Sequence, residues 1–193
     1  MIQKKICMLG SFAVGKTSLV ARFVRSIFSE KYHTTIGVKV DKKVVETPSG
    51  PLTIILWDIY GDDDFQSVRP SFLRGSAGYF LVADGTRRVT LDRIPALHKV
   101  ATDSIGKAPF IILLNKSDLQ SEWEIGELEE KSLAELGPVA CVRQQGELKL
   151  SQHAEHVARR VQRTQRHQRG VEHLRVRVAR ERLMPRGRNS SIR

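Results

Sequence analysis

The eight residues Gly10-Ser11-Phe12-Ala13-Val14-Gly15-Lys16-Thr17 follow the apolar run Ile6-Cys7-Met8-Leu9 and precede a helical pattern beginning at Ser18. A G-x-x-x-x-G-K-T spacing between a strand and a helix lets the backbone wrap so that successive N–H groups point inward at an anion. In such a loop Lys16 reaches the outer phosphates of a nucleotide and Thr17 holds Mg²⁺. The helix that follows adds about half a positive charge at its N-terminus, aimed at the same anion. The stretch from Gly10 to Ser18 therefore reads as a phosphate-binding loop, the P-loop. It constrains the fold because strand, loop and helix must occur in that order.

The rest of the chain is compatible with that frame. Ile2–Leu9 reads as a strand stopped at Gly10, and residues 17–26 as a helix with Leu19, Val20, Phe23, Val24 and Ile27 on one face. Residues 28–37 have no periodicity and read as a loop. Val38-Lys39-Val40-Asp41 alternates, Pro48-Ser49-Gly50-Pro51 is turn chemistry, and residues 52–57 return as the second strand of a hairpin. An acidic loop and a short helix to about Leu73 follow. Residues 79–83 and 110–114 are continuous apolar runs, which suit strands buried on both faces of a parallel sheet. Residues 91–104 and 122–136 read as helices, and Pro138-Val139-Ala140-Cys141-Val142 as a sixth strand. The predicted fold class is α/β: three layers, six strands, mostly parallel with one antiparallel edge strand, and helices on both faces. Ligands belong at the carboxyl ends of such strands.

Length and charge add two limits. The chain has 193 residues, enough for one domain with a full core. Net charge is +11, but residues 151–193 hold twelve Arg and no Lys against three Glu, and none of the aromatic residues. The first 150 residues are thus almost neutral. This abrupt change divides the chain into a domain over 1–142 and a basic segment over 143–193. There is no apolar run of 18 residues and no signal-like N-terminus, and the two cysteines, Cys7 and Cys141, argue against a disulfide framework. A cytoplasmic protein is expected.

Two further motifs fall at predicted strand ends. Asp58-Ile59-Tyr60-Gly61 has the D-x-x-G form, in which the Asp supports Mg²⁺ through a water and the Gly N–H approaches a γ-phosphate. Asn115-Lys116-Ser117-Asp118 has the N-K-x-D form. Its Asp118 carboxylate can accept from both N1–H and N2–H₂ of guanine, a donor pair that adenine lacks.

With these motifs in this order, the chain resembles a small GTPase of the Ras superfamily, nearest the Rab-like branch and bacterial Rab-like relatives, over residues 1 to about 138. The resemblance implies a switch that binds GTP and GDP with Mg²⁺, hydrolyses GTP, and is read by protein effectors, an exchange factor and an activator. It implies that residues 32–37 form a first switch loop in which Thr35 contacts Mg²⁺ and γ-phosphate, and that Phe28 packs on the guanine. Residues 57–65 would form the second switch. Lys116 would lie along base and ribose, and Asn115 would tie the base loop to the P-loop.

The chain departs from this family in two places. The Gln that usually follows the switch glycine and orients the attacking water is Asp62 here. A carboxylate cannot donate to the γ-phosphate and repels it, so hydrolysis is expected to be slow; the alternative is a nucleotide-binding interaction module with negligible hydrolysis. Tyr60 and Phe12 are bulky where relatives are small. The second departure is the end of the chain, which has no S-A-K-type base-contacting loop. Arg143-Gln144-Gln145-Gly146 stands in its place. Three readings of the basic segment remain open: an out-of-frame tail, an Arg-rich arm for nucleic acid or acidic membrane, and a divergent in-frame end. No Cys lies near the C-terminus and residue 2 is Ile, so no lipid anchor is expected.

Overall fold

The computed structural model describes residues 2–25, 37–47, 50–61 and 68–142. The elements are β1 (Ile2–Leu9), α1 (Lys16–Arg25), β2 (Val38–Val45), β3 (Leu52–Ile59), α2 (Pro70–Leu73), β4 (Gly78–Asp84), α3 (Ile94–Ile105), β5 (Phe110–Asn115), α4 (Glu127–Leu136) and β6 (Val139–Cys141). The six strands form one sheet in the order β2-β3-β1-β4-β5-β6. β2 pairs antiparallel with β3, while every other pairing is parallel. The expected α/β architecture with one antiparallel edge strand is therefore the observed one.

Two cores lie on opposite faces of this sheet, and residue alternation assigns them. Ile6 and Met8 of β1, Phe80 and Val82 of β4, and Ile111 and Leu113 of β5 join Leu19, Val20 and Phe23 of α1. The intervening residues Cys7, Leu9, Tyr79, Leu81, Ile112 and Leu114 join Ile94, Leu97 and Ala101 of α3 and Leu133 of α4. Successive strand side chains point to opposite faces, so a strand covered on both sides must be apolar throughout. All seven residues of β4 are buried accordingly.

Several boundaries differ from the sequence expectation. β2 runs on to Val45 and β3 to Ile59, because Val38 pairs with Ile59 and Val45 with Leu52 along a full hairpin. Asp58 is thus inside β3 rather than after it. The predicted helix over 91–104 is a 3₁₀ turn at Arg88–Thr90 followed by α3. Pro95, which lacks an amide hydrogen, occupies the first turn of α3, where no intrahelical donor is needed.

The predicted helix over 122–136 starts late, at Glu127. Trp123 lies flat on Gly85, so closely that a Cβ there would come within 1.9 Å of the ring. The Glu124 N–H donates to the Gly85 carbonyl at 2.9 Å. These contacts hold residues 123–124 out of helical register, and α4 begins after Gly126, whose N–H is capped by the Glu129 carboxylate at 3.1 Å. α1 begins one residue earlier than expected, at Lys16.

Leu81 is central to the second core and has no exposed surface. Leu81→Ala is expected to cost about 2–5 kcal/mol, since removal of buried methyl groups also leaves a cavity. Urea unfolding should show a lower midpoint with the slope unchanged.

Candidate functional site

Strands β3, β1, β4 and β5 run in parallel. Their carboxyl ends therefore discharge four loops onto one edge of the sheet. The first is the P-loop, between Leu9 and Lys16. Its entry requires glycine: a Cβ on Gly10 would lie 2.3 Å from the Val82 carbonyl oxygen of β4. Ser11 and Val14 are buried, whereas Phe12, Ala13, Gly15, Thr17 and Ser18 are half-buried around the rim.

Lys16 is buried and folds into the loop, donating from Nζ to the carbonyls of Gly10 at 2.8 Å and Ser11 at 2.7 Å. The second loop closes over the same place. A Cβ on Gly61 would stand 2.2 Å from Lys16 Nζ and 2.6 Å from the Gly10 carbonyl oxygen, so only a glycine backbone fits against the P-loop here. The adjacent Tyr60 meets Phe12 edge-to-face, with ring centroids 6.3 Å apart. Its N–H donates to the Gly37 carbonyl at 2.9 Å, so the chain entering β2 and the chain leaving β3 are joined.

Thr17 Oγ1 donates to Asp58 Oδ2 at 2.6 Å, although 41 residues separate them in sequence. A hydroxyl and a fully buried carboxylate are thereby held side by side beneath the loop. Two hard oxygen donors at this spacing fit Mg²⁺, which prefers a few protein oxygens and keeps the rest of its shell for water and phosphate.

The third and fourth loops lie on the other side of the P-loop. Asn115, fully buried at the end of β5, donates from Nδ2 to the Val14 carbonyl at 2.8 Å. This hydrogen bond joins the N-K-x-D loop to the P-loop. Lys116 turns the chain with φ 65, and its ammonium reaches Asp84 Oδ2 at 2.6 Å. Asp118 is half-buried three residues beyond Asn115. Val142 holds this loop from behind, accepting from the Ser117 N–H at 3.1 Å and donating its own N–H to Leu114 at 2.8 Å.

Asp84 and Arg87 were not among the expected site residues. Asp84 has no exposed surface, yet it accepts from Lys116, from the Thr86 N–H and hydroxyl, and from Arg87 Nε. Burial alone would raise its carboxyl, but the hydrogen bonds from Lys116, Thr86 and Arg87 outweigh it and hold Asp84 below the usual carboxylate range. An acidic residue closing an otherwise apolar strand was the available signal. Arg87 Nη2 also donates to the Phe12 carbonyl at 2.8 Å, a contact that no sequence spacing announces.

Phe28, Thr35 and Asp62 lie outside the described residues, as do Arg143-Gln144-Gln145-Gly146 and the basic segment they open. Among the described residues, no helix is long and apolar enough to cross a membrane.

A family model described as the Ras family matches residues 5–160. The Ras-related protein RABA5a of Arabidopsis thaliana is 36% identical over 132 residues, 68% of this chain and 60% of the relative. Ras-related protein Rab11A of Lotus japonicus is 33% identical over 132 residues, 68% of this chain and 58% of the relative. Ras-related protein Rab-11C of Dictyostelium discoideum is 31% identical over 137 residues, 70% of this chain and 61% of the relative. The match thus spans about three fifths of the length of these curated relatives.

Because the Asp84 carboxyl titrates lower in the folded chain than in the unfolded one, its ionised form contributes stability above the unfolded value near 3.8. That contribution is lost as pH falls through the folded value. Urea midpoints of wild type and Asp84→Asn, compared between about pH 7 and about pH 3, should converge on acidification. A gap that stays constant across this range contradicts the assignment.

Proposed function

The chain belongs to the Ras family, and we propose that it is a guanine-nucleotide-binding switch that hydrolyses GTP to GDP slowly. The observation that carries this reading is the 2.8 Å hydrogen bond from Asn115 to the Val14 carbonyl. It makes the N-K-x-D loop and the phosphate cradle one connected body, so a single ligand bearing both guanine and phosphates spans them.

In this reading the P-loop backbone from Gly10 to Ser18 surrounds the phosphates and Lys16 exchanges its loop carbonyls for phosphate oxygens. Asp118 accepts from guanine N1–H and N2–H₂, Lys116 lines the base and ribose, and Phe28 packs on the base. Mg²⁺ would be held by Thr17, by Thr35 and, through water, by Asp58, and it supplies neutralisation of charge on the phosphate oxygens. Thr35 and Gly61 hold the two switch loops while the γ-phosphate is present, and its loss releases them. Effectors, an exchange factor and an activator would read or drive that change. Two free cysteines, one of them exposed, suit a cytoplasmic setting.

Asp62 sets the expected rate. The water-orienting position carries a carboxylate that accepts a hydrogen bond but offers no donor to the γ-phosphate. Loss of one such donor costs about 2.7–4 kcal/mol of transition-state stabilisation, about a hundredfold or more in rate. The same residue favours a second reading, in which the chain binds GTP as an interaction module and turnover is negligible. Phe12 and Tyr60 meet edge-to-face, and their bulk would crowd an arginine supplied by an activator.

Single-turnover phosphate release measured with Mg²⁺ separates the two. Asp62→Gln is expected to accelerate release by on the order of ten- to a hundredfold over a slow wild type. Persistent GTP binding with no release from wild type, even beside a candidate activator, sinks the hydrolytic reading. Base selection has its own check: Asp118→Asn should move preference from GTP toward XTP, and undiminished GTP affinity would contradict the role given to Asp118.

A further inference from the structure

We propose that Arg87 is a positioning residue that clamps the P-loop in its anion-binding shape from the turn that follows β4. The inference rests on the nucleotide-binding reading above. Arg87 follows β4 and opens the 3₁₀ turn at residues 88–90. Its Nε donates to Asp84 Oδ2 at 2.9 Å and its Nη2 to the Phe12 carbonyl at 2.8 Å. Asp84 in turn receives the Lys116 ammonium at 2.6 Å. One continuous polar chain therefore runs from the P-loop carbonyl through Arg87 and Asp84 to Lys116.

The place where Arg87 grips the loop is the telling part. Ala13 sits at φ 58, a left-handed conformation that a residue with a side chain adopts only when its surroundings impose it. The carbonyl before it, on Phe12, is held by Arg87, and the carbonyl after it, on Val14, is held by Asn115. The two clamps bracket the Ala13–Val14 stretch and restrict its backbone. Arg87 also acts on the peptide unit that joins Phe12 to Ala13. A cation on its carbonyl oxygen polarises the unit, and the Ala13 N–H at the other end becomes a stronger donor. P-loop amides are the groups that meet phosphate oxygens. Guanidinium charge is thereby transmitted to the phosphate site without Arg87 touching the nucleotide.

A merely structural Arg87 would staple Asp84 in place and nothing more, and its loss would loosen the whole edge of the site. A clamp on residues 12–13 predicts instead a loss that depends on the number of phosphates in the ligand. Calorimetric titration of the full chain with GTP, GDP and GMP in the presence of Mg²⁺ distinguishes the two. Arg87→Ala should weaken GTP and GDP by about tenfold, the scale of one charge-assisted hydrogen bond. GMP, which places no β-phosphate in the loop, should change by less than about twofold. Arg87→Lys keeps a cationic donor and should recover part of the loss. Arg87→Gln, with its urea midpoint measured alongside, gives the same comparison if the alanine variant folds poorly. Equal losses for GMP and GDP, or no loss at all, would overturn the clamp while leaving nucleotide binding intact. A wild type that binds none of the three nucleotides removes the functional reading itself, and the clamp with it.

Discussion

A buried carboxylate at the end of the central strand holds the loop-bearing edge of this sheet together. Asp84 is enclosed on all sides, and an ionised group in that position survives only if charged and polar donors surround it. Lys116, Arg87 and Thr86 are those donors. Each comes from a segment whose course is thereby constrained: the loop after β5, the turn before α3, and the segment joining them to β4. Removing the charge would not simply weaken four hydrogen bonds. It would release the loops that the bonds fix relative to one another.

The sheet makes this convergence possible. Parallel pairing of β3, β1, β4 and β5 sends every connecting loop at their carboxyl ends to the same edge, and the two apolar cores keep the strands from sliding. A one-residue slip in β4 would turn Phe80 and Val82 out of one core and Tyr79 and Leu81 out of the other. Register is therefore held by packing on both faces. The distances at the edge, such as Thr17 to Asp58 across 41 residues, inherit their definition from it.

Much of this was legible in the residues, and the parts that were not share a cause. The P-loop, D-x-x-G and N-K-x-D stretches carry their chemistry in short spacings, and the apolar runs at 79–83 and 110–114 announced a doubly covered sheet. Boundaries set by distant contacts were not visible. Nothing near Glu122 says that Trp123 lies on Gly85 and delays α4 to Glu127. Nothing near Arg87 says that it reaches Phe12, 75 residues away. The sequence pattern places Asp58 at the end of a strand closed at Trp57, yet the hairpin ladder with β2 carries β3 through it to Ile59.

The sequence by itself determined the inventory of motifs: G-x-x-x-x-G-K-T at residues 10–17, D-x-x-G at 58–61 with Asp62 after it, and N-K-x-D at 115–118. These are local facts, since a side chain's functional groups and a few residues of spacing are enough to state them. Only the tertiary structure decided how the pieces are joined, with Asn115 on Val14, Arg87 on Phe12, and Lys116 with Arg87 on Asp84. The reason is physical. Hydrogen bonds of this kind depend on positions within about 3 Å, and positions of residues far apart in the chain are set by strand register and core packing rather than by any spacing along it.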